Sequence, residues 1–120
     1  MRRIVLANHK GGVAKTVSAV NLAVAGARAG HKVLVVDMDP QGNATRYLGV
    51  DGEEVPHTVS DVLTAAPEDL SMDLVLKSTY PAGDVTLMPS NVDLDEVEES
   101  VTFNRERRLS AALRHVQDLY

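Results

Sequence analysis

The first apolar stretch is the uninterrupted run RIVLA, Arg3–Ala7. Its β-forming side chains predict a buried strand. After a glycine-bearing loop the spacing changes. Val17, Val20, Val24 and Ala27 recur at i, i+3, i+7 and i+10, one face of a helix that begins near Lys15. Gly30 is placed to end it. KVLVV, Lys32–Val36, is apolar on both faces. Such a strand suits a parallel sheet covered by helices on both sides. The first 37 residues therefore predict strand, loop, helix, strand, which is a βαβ unit.

Beyond Asp39–Asn43 the pattern is polar and irregular as far as Pro56. Thr58 followed by Asp61 predicts a capping box that opens a short helix, Val59–Ala65. Pro67 starts another turn of helix. DLVLKS, Asp73–Ser78, reads equally as strand or helix. DVTLMPS, Asp84–Ser90, predicts a third strand, closed by Pro89. Asp93–Glu99 carries five acids and predicts a solvated helix start. Leu109, Leu113, Val116 and Tyr120 then mark an amphipathic helix. There are no repeats, low-complexity tracts or linkers. An alternating pattern calls for a further strand after Tyr120, and three strands do not make a well-covered doubly wound sheet. The expectation is an α/β fold, with residues 1–120 the N-terminal part of a single larger domain whose sheet is doubly wound and mostly parallel.

Composition narrows the function. The 120 residues include one Phe and no Trp, so the core must be aliphatic. The formal net charge of −5 does not support a generally basic nucleic-acid-binding surface. There is no cysteine, which excludes disulfides, thiolate zinc sites and iron–sulfur ligands within these residues. No apolar run approaches the roughly 20 residues that span a bilayer. The opening MRRIVLA is too short in its apolar part for a signal peptide.

The chemistry concentrates in HKGGVAKT, His9–Thr16. A standard phosphate loop reads G-x-x-x-x-G-K-[ST]; here His9 and Ala14 occupy the glycine positions. Phosphate loops need glycines so that backbone N–H groups converge on phosphate oxygens at a helix N-terminus. They also need a lysine for the β- and γ-phosphates and a hydroxyl for Mg²⁺. Gly11, Gly12, Lys15 and Thr16 supply these between a predicted strand and a predicted helix. A glycine-rich structural turn is the plainer alternative. The dinucleotide pattern G-x-G-x-x-G is absent. Asp37 ends an apolar strand, at the sheet edge where α/β folds bind ligands. Asp39, before Pro40, is either part of that site or a turn cap. Arg105, Arg107, Arg108 and Arg114 read better as a solvated helix face than as a DNA contact.

KGGVAKT and VVDMDPQGNAT, Val35–Thr45, together resemble the ParA/MinD family of P-loop ATPases, whose Walker A loop is deviant, and its ParA/Soj branch in particular. The likeness continues through PSNVDL, Pro89–Leu94, and RERRLSAAL, Arg105–Leu113. It covers essentially the whole chain. Ala14 occupies a variable position of the motif where glycine is more usual.

The resemblance implies an ATPase using ATP and Mg²⁺, in a phosphate site of Lys10, Gly11, Gly12, Val13, Ala14, Lys15 and Thr16. Thr16 would ligate Mg²⁺ and Asp37 would support its shell. Asp39 would position the attacking water, so that Lys10, Lys15 and Asp39 carry catalysis. Gln41, Gly42 and Asn43 would sense the γ-phosphate. Lys10, a solvated surface lysine if read alone, would cross an ATP-dependent homodimer interface to the partner's nucleotide, where two facing ATP–Mg complexes need cations. The implied function is chromosome or plasmid partition. It involves non-specific DNA binding by the intact protein, a ParB-like centromere-binding partner, a cytoplasmic, nucleoid-associated location and no membrane. The family's Walker B strand, adenine contacts and most DNA-binding residues would follow Tyr120. Rival expectations are a MinD-like membrane-cycling ATPase, a redox ATPase resembling the nitrogenase iron protein, and a non-catalytic N-terminal remnant.

Overall fold

The computed structural model describes residues 1–7, 13–100 and 105–120. Helix α1 spans Val13–Arg28 and strand β1 Leu34–Val36. Four elements follow: α2 (Asn43–Tyr47), α3 (Val59–Thr64), α4 (Met72–Lys77) and β2 (Tyr80–Ala82). Strand β3 (Val85–Met88) then leads into α5 (Asp93–Ser100) and α6 (Arg105–His115). The sheet order is β1-β3-β2. β1 runs parallel to β3, with Leu34 opposite Thr86 and Val36 opposite Met88. β2 runs antiparallel to β3.

The alternation of side chains along the strands divides the core into two layers. Leu34, Val36 and Met88 face a cluster built by Val59, Val62, Leu63, Val75, Leu94, Val97, Ala112 and Val116. These come from α3 to α6 and the segment after α6. Val33, Val35, Val85 and Leu87 face the opposite way, against Ala23, Val24 and Ala27 of α1. Adjacent strand residues thus enter different layers, as a period of two requires. Helices cover both faces, so the fold is α/β with the parallel β1–β3 pair between them, β3 mostly buried and β1 half-buried.

Local signals in the sequence explain several boundaries. The end of α1 is a Schellman motif: the Gly30 N–H donates to the Ala27 carbonyl at 2.9 Å and the His31 N–H to the Gly26 carbonyl at 3.1 Å. The capping box of α3 forms. The Thr58 N–H donates to Asp61 Oδ2 at 2.7 Å, and Thr58 Oγ1 accepts from the Ser60 N–H at 3.3 Å. The ambiguous DLVLKS segment is helix, because the Ser71 hydroxyl caps α4 by accepting from the Leu74 N–H. Around Pro67 the chain makes only a turn, with the Asp69 and Leu70 N–H groups on the Ala66 carbonyl.

Three expectations change. Arg3–Ala7 is not a strand: residues 1–7 have no regular structure and are exposed, Val5 at 87%. A strand exists only through a ladder partner. This segment joins none, and Arg3 instead donates to Ser110 Oγ of α6 at 2.9 Å. The βαβ unit expected of the first 37 residues is therefore not formed among the described residues, and the β1 edge away from β3 carries no strand there. Second, β2 was not expected. Its signal is the Gly83-Asp84 pair between Ala82 and Val85, a two-residue hairpin loop. Pro81 obscures it, yet proline is tolerated in an edge strand, and β2 is one. Third, α5 is solvated on one side only, since Leu94 and Val97 are buried. Asp93, Asp95 and Glu96 occupy its first turn, where negative charge favours the helix dipole.

Candidate nucleotide-binding site

Of the expected phosphate-site residues, Lys10, Gly11 and Gly12 lie outside the described residues. Val13, Ala14, Lys15 and Thr16 form the first turn of α1. Ala14 is exposed, while Lys15 and Thr16 are half-buried. A helix start of this kind presents N–H groups without intrahelical partners, and anions are favoured there.

The second half of the site is built around Asp37, which directly follows β1. The residue is 4% exposed. A buried carboxylate must be paired or hydrogen-bonded, and three donors among the described residues converge on it. The Asp39 N–H reaches Oδ1 at 3.1 Å. The Thr45 N–H and hydroxyl both reach Oδ2, at 2.8 and 2.7 Å. Asp37 therefore folds the segment Asp39–Thr45 back over the end of its own strand. Within that segment Asp39 Oδ1 accepts from the Gln41 N–H at 3.0 Å. The Gly42 N–H returns to the Asp39 carbonyl at 2.8 Å. Gly42 then opens α2 with φ 61°, a left-handed conformation that glycine adopts without steric cost. Asp39 thus caps its turn with one oxygen, and Oδ2 makes no hydrogen bond among the described residues.

This donor count bears on magnesium. A carboxylate offers about four lone-pair sites, and Asp37 commits three of them to the protein. Among the described residues one stays without a donor, on Oδ1. Magnesium characteristically keeps several waters and takes one or two protein oxygens plus substrate phosphates. A hydroxyl such as that of Thr16 and one carboxylate oxygen such as Asp37 Oδ1 are the donor types that an ion held in that way takes. They do not fit a protein cage, and no group of three or more His, Cys, Asp or Glu side chains suited to a metal occurs among the described residues.

Two residues that the sequence did not single out complete the arrangement. Thr45 Oγ1 accepts from the Ser90 N–H at 3.0 Å while donating to Asp37. This ties the end of β1 to the segment leaving β3. Ser90 in turn is pressed by Gly52, where any β-carbon would meet the Ser90 carbonyl oxygen. Pro40, Gln41, Gly42, Arg46, Glu53 and Asn91 surround the shallow depression beside this junction.

The basic residues separate. Arg107 and Arg114 are exposed. Arg108 is half-buried and donates to the carbonyls of Leu63 and Ala65 at 2.8 and 3.2 Å, at the carbonyl end of α3. Among the described residues no helix is long and apolar enough to cross a membrane.

An AAA-domain family model matches residues 1–120. Together with its likeness to Soj and ParA proteins, this places the chain in the ParA/Soj family of P-loop ATPases. It is 39% identical over 119 residues to the sporulation initiation inhibitor protein Soj of Bacillus subtilis, covering 98% of this chain and 46% of that protein. It is also 39% identical over 119 residues to the chromosome partitioning protein ParA of Caulobacter vibrioides, covering 98% of this chain and 43% of that one. Among solved structures it resembles cobyrinic acid a,c-diamide synthase from Mycobacterium smegmatis with bound ATP analogue and magnesium. The TM-score is 0.77 at 36% identity, over 90% of this chain and 43% of that one. The chain thus spans less than half the length of these relatives.

Proposed function

We propose that residues 1–120 are the phosphate-binding portion of a DNA-partitioning ATPase. ATP would bind at the start of α1, with Lys15 on its β- and γ-phosphates. Thr16 and Asp37 Oδ1 would hold Mg²⁺, which supplies charge neutralisation at the phosphates. Lys10 would reach across an ATP-dependent homodimer to the partner's nucleotide. Asp39, through Oδ2, would orient the attacking water. The dimer would bind DNA without sequence preference, and a ParB-like centromere-binding protein would stimulate hydrolysis and release.

The observation that carries this reading is the Asp37 junction. A buried carboxylate at the carboxyl end of a parallel strand organises the DPQGNAT segment, at the edge where α/β sheets take their ligands. The names of the Soj and ParA relatives support partition as the process, and the magnesium and ATP analogue of the solved neighbour support the cofactors. The test uses the natural full-length protein. Sedimentation with and without Mg-ATP should show a nucleotide-dependent dimer, and phosphate release should rise when DNA and the centromere-binding protein are added together. Turnover that neither addition changes would overturn partition as the function.

A further inference from the structure

We infer that Thr45 is a positioning residue for ATP hydrolysis, acting through Asp37 on Asp39. The inference rests on the reading above, in which Asp39 orients water. Thr45 is 1% exposed, so its hydroxyl has no solvent to turn to and must find protein partners. It has two, on opposite sides. It donates to Asp37 Oδ2 at 2.7 Å and accepts from the Ser90 N–H at 3.0 Å. With the Thr45 N–H also on Oδ2, the Asp37 carboxylate is held by one oxygen. Its other oxygen then receives the Asp39 N–H.

The chain of contacts fixes where Asp39 sits. A rotation of the Asp37 carboxylate would move the acceptor that anchors Asp39 and, through Asp39 Oδ1, the Gln41 N–H. Only a hydroxyl can serve both sides of this junction. Valine at position 45 has the same shape but leaves Ser90 N–H without an acceptor and Asp37 Oδ2 with one donor fewer. Serine keeps both bonds. Thr45 itself needs no contact with nucleotide, so its removal should spare the binding of metal-free ATP and impair turnover, whereas Mg²⁺ affinity falls as far as Asp37 loosens. Misplacement of catalytic groups by distant substitutions costs up to about a hundredfold in rate.

The experiment compares Thr45→Val and Thr45→Ser with wild type in the natural full-length protein. It measures the dissociation constant of ATP without Mg²⁺ and kcat at saturating Mg²⁺ and ATP, with a thermal melt as the folding control. Thr45→Val should keep the metal-free dissociation constant within about twofold and lower kcat at saturating Mg²⁺ about tenfold to a hundredfold. Thr45→Ser should restore kcat. If the valine variant does not fold, Thr45→Ala is read in the same way. A folded valine or alanine variant with wild-type kcat would overturn the inference, as would a serine variant that fails to restore turnover. A parallel fall in binding and kcat, tracking lost folded protein, would reduce Thr45 to a structural role and also overturn it. Failure of the underlying reading is distinguishable, because Asp39→Ala would then hydrolyse ATP at the wild-type rate.

Discussion

Gly52 lies so close to Ser90 that a β-carbon at position 52 would stand 1.9 Å from the Ser90 carbonyl oxygen. No flexible side chain can yield there, since the obstacle is backbone. One of the two segments must move, and Ser90 also donates to Thr45. Gly52→Ala should therefore destabilise the protein by about 1–3 kcal/mol, the usual range for overpacking. Denaturant unfolding measures it. Wild-type stability in this variant would show that the two segments are not in contact.

Arg108→Ala should destabilise through α3. The guanidinium satisfies the carbonyls of Leu63 and Ala65, and carbonyls at a helix end lack intrahelical donors. A hydrogen bond to a charged group contributes about 1.5–3 kcal/mol, discounted here because the side chain is half-exposed. A loss of about 1–2 kcal/mol in denaturant unfolding is expected. Arg107→Ala, on an exposed position of the same helix, should change stability little.

Lys15→Ala should abolish tight ATP binding in the full-length protein, because it removes the cation assigned to the β- and γ-phosphates. Lys77→Ala is the control. Lys77 pairs with Asp73 at 2.7 Å on an exposed face, an arrangement that contributes little. Calorimetric titration with Mg-ATP compares the two, and equal affinities would remove the phosphate-loop assignment.

Asp39→Ala should separate binding from hydrolysis. ATP should still bind and the dimer should outlive that of wild type, while phosphate release falls. Normal hydrolysis in this variant would move the water-orienting role to another group. The turn should survive only in part, since Asp39 Oδ1 also holds the Gln41 N–H.

Lys10→Ala should leave monomeric ATP affinity almost unchanged and weaken ATP-dependent dimerisation. Each charge-assisted contact is worth about 1.5–3 kcal/mol. A symmetric dimer makes it twice, so its affinity should fall by about two or more decades. Sedimentation beside nucleotide titration reads both quantities. Weaker monomer binding with an unchanged dimer constant would place Lys10 on its own chain's phosphates.

The parts of the fold legible in sequence were those fixed within a few residues. Thr58 and Asp61 announced the start of α3, and Gly30 the end of α1, because caps are local hydrogen-bonding events. Asp37 was legible as the polar end of an apolar run. RIVLA was misread for a physical reason: apolar β-formers state a preference, and the ladder partner that would realise it is a tertiary matter. β2 was hidden by Pro81, whose position on the sheet edge no local pattern reveals. Thr45 stood in the quoted motif, but its bond to the Ser90 N–H joins positions 45 residues apart. Gly52 carried no signal, because the reason for its lack of a side chain is another segment's carbonyl.

The two borders of the sheet differ in what they can accept. β2 turns Pro81 toward any newcomer and lacks its N–H, whereas Leu34–Val36 ends the sheet on the other side without a neighbour among the described residues. Accretion of strands is therefore polar: the β1 border can be extended and the β2 border resists it.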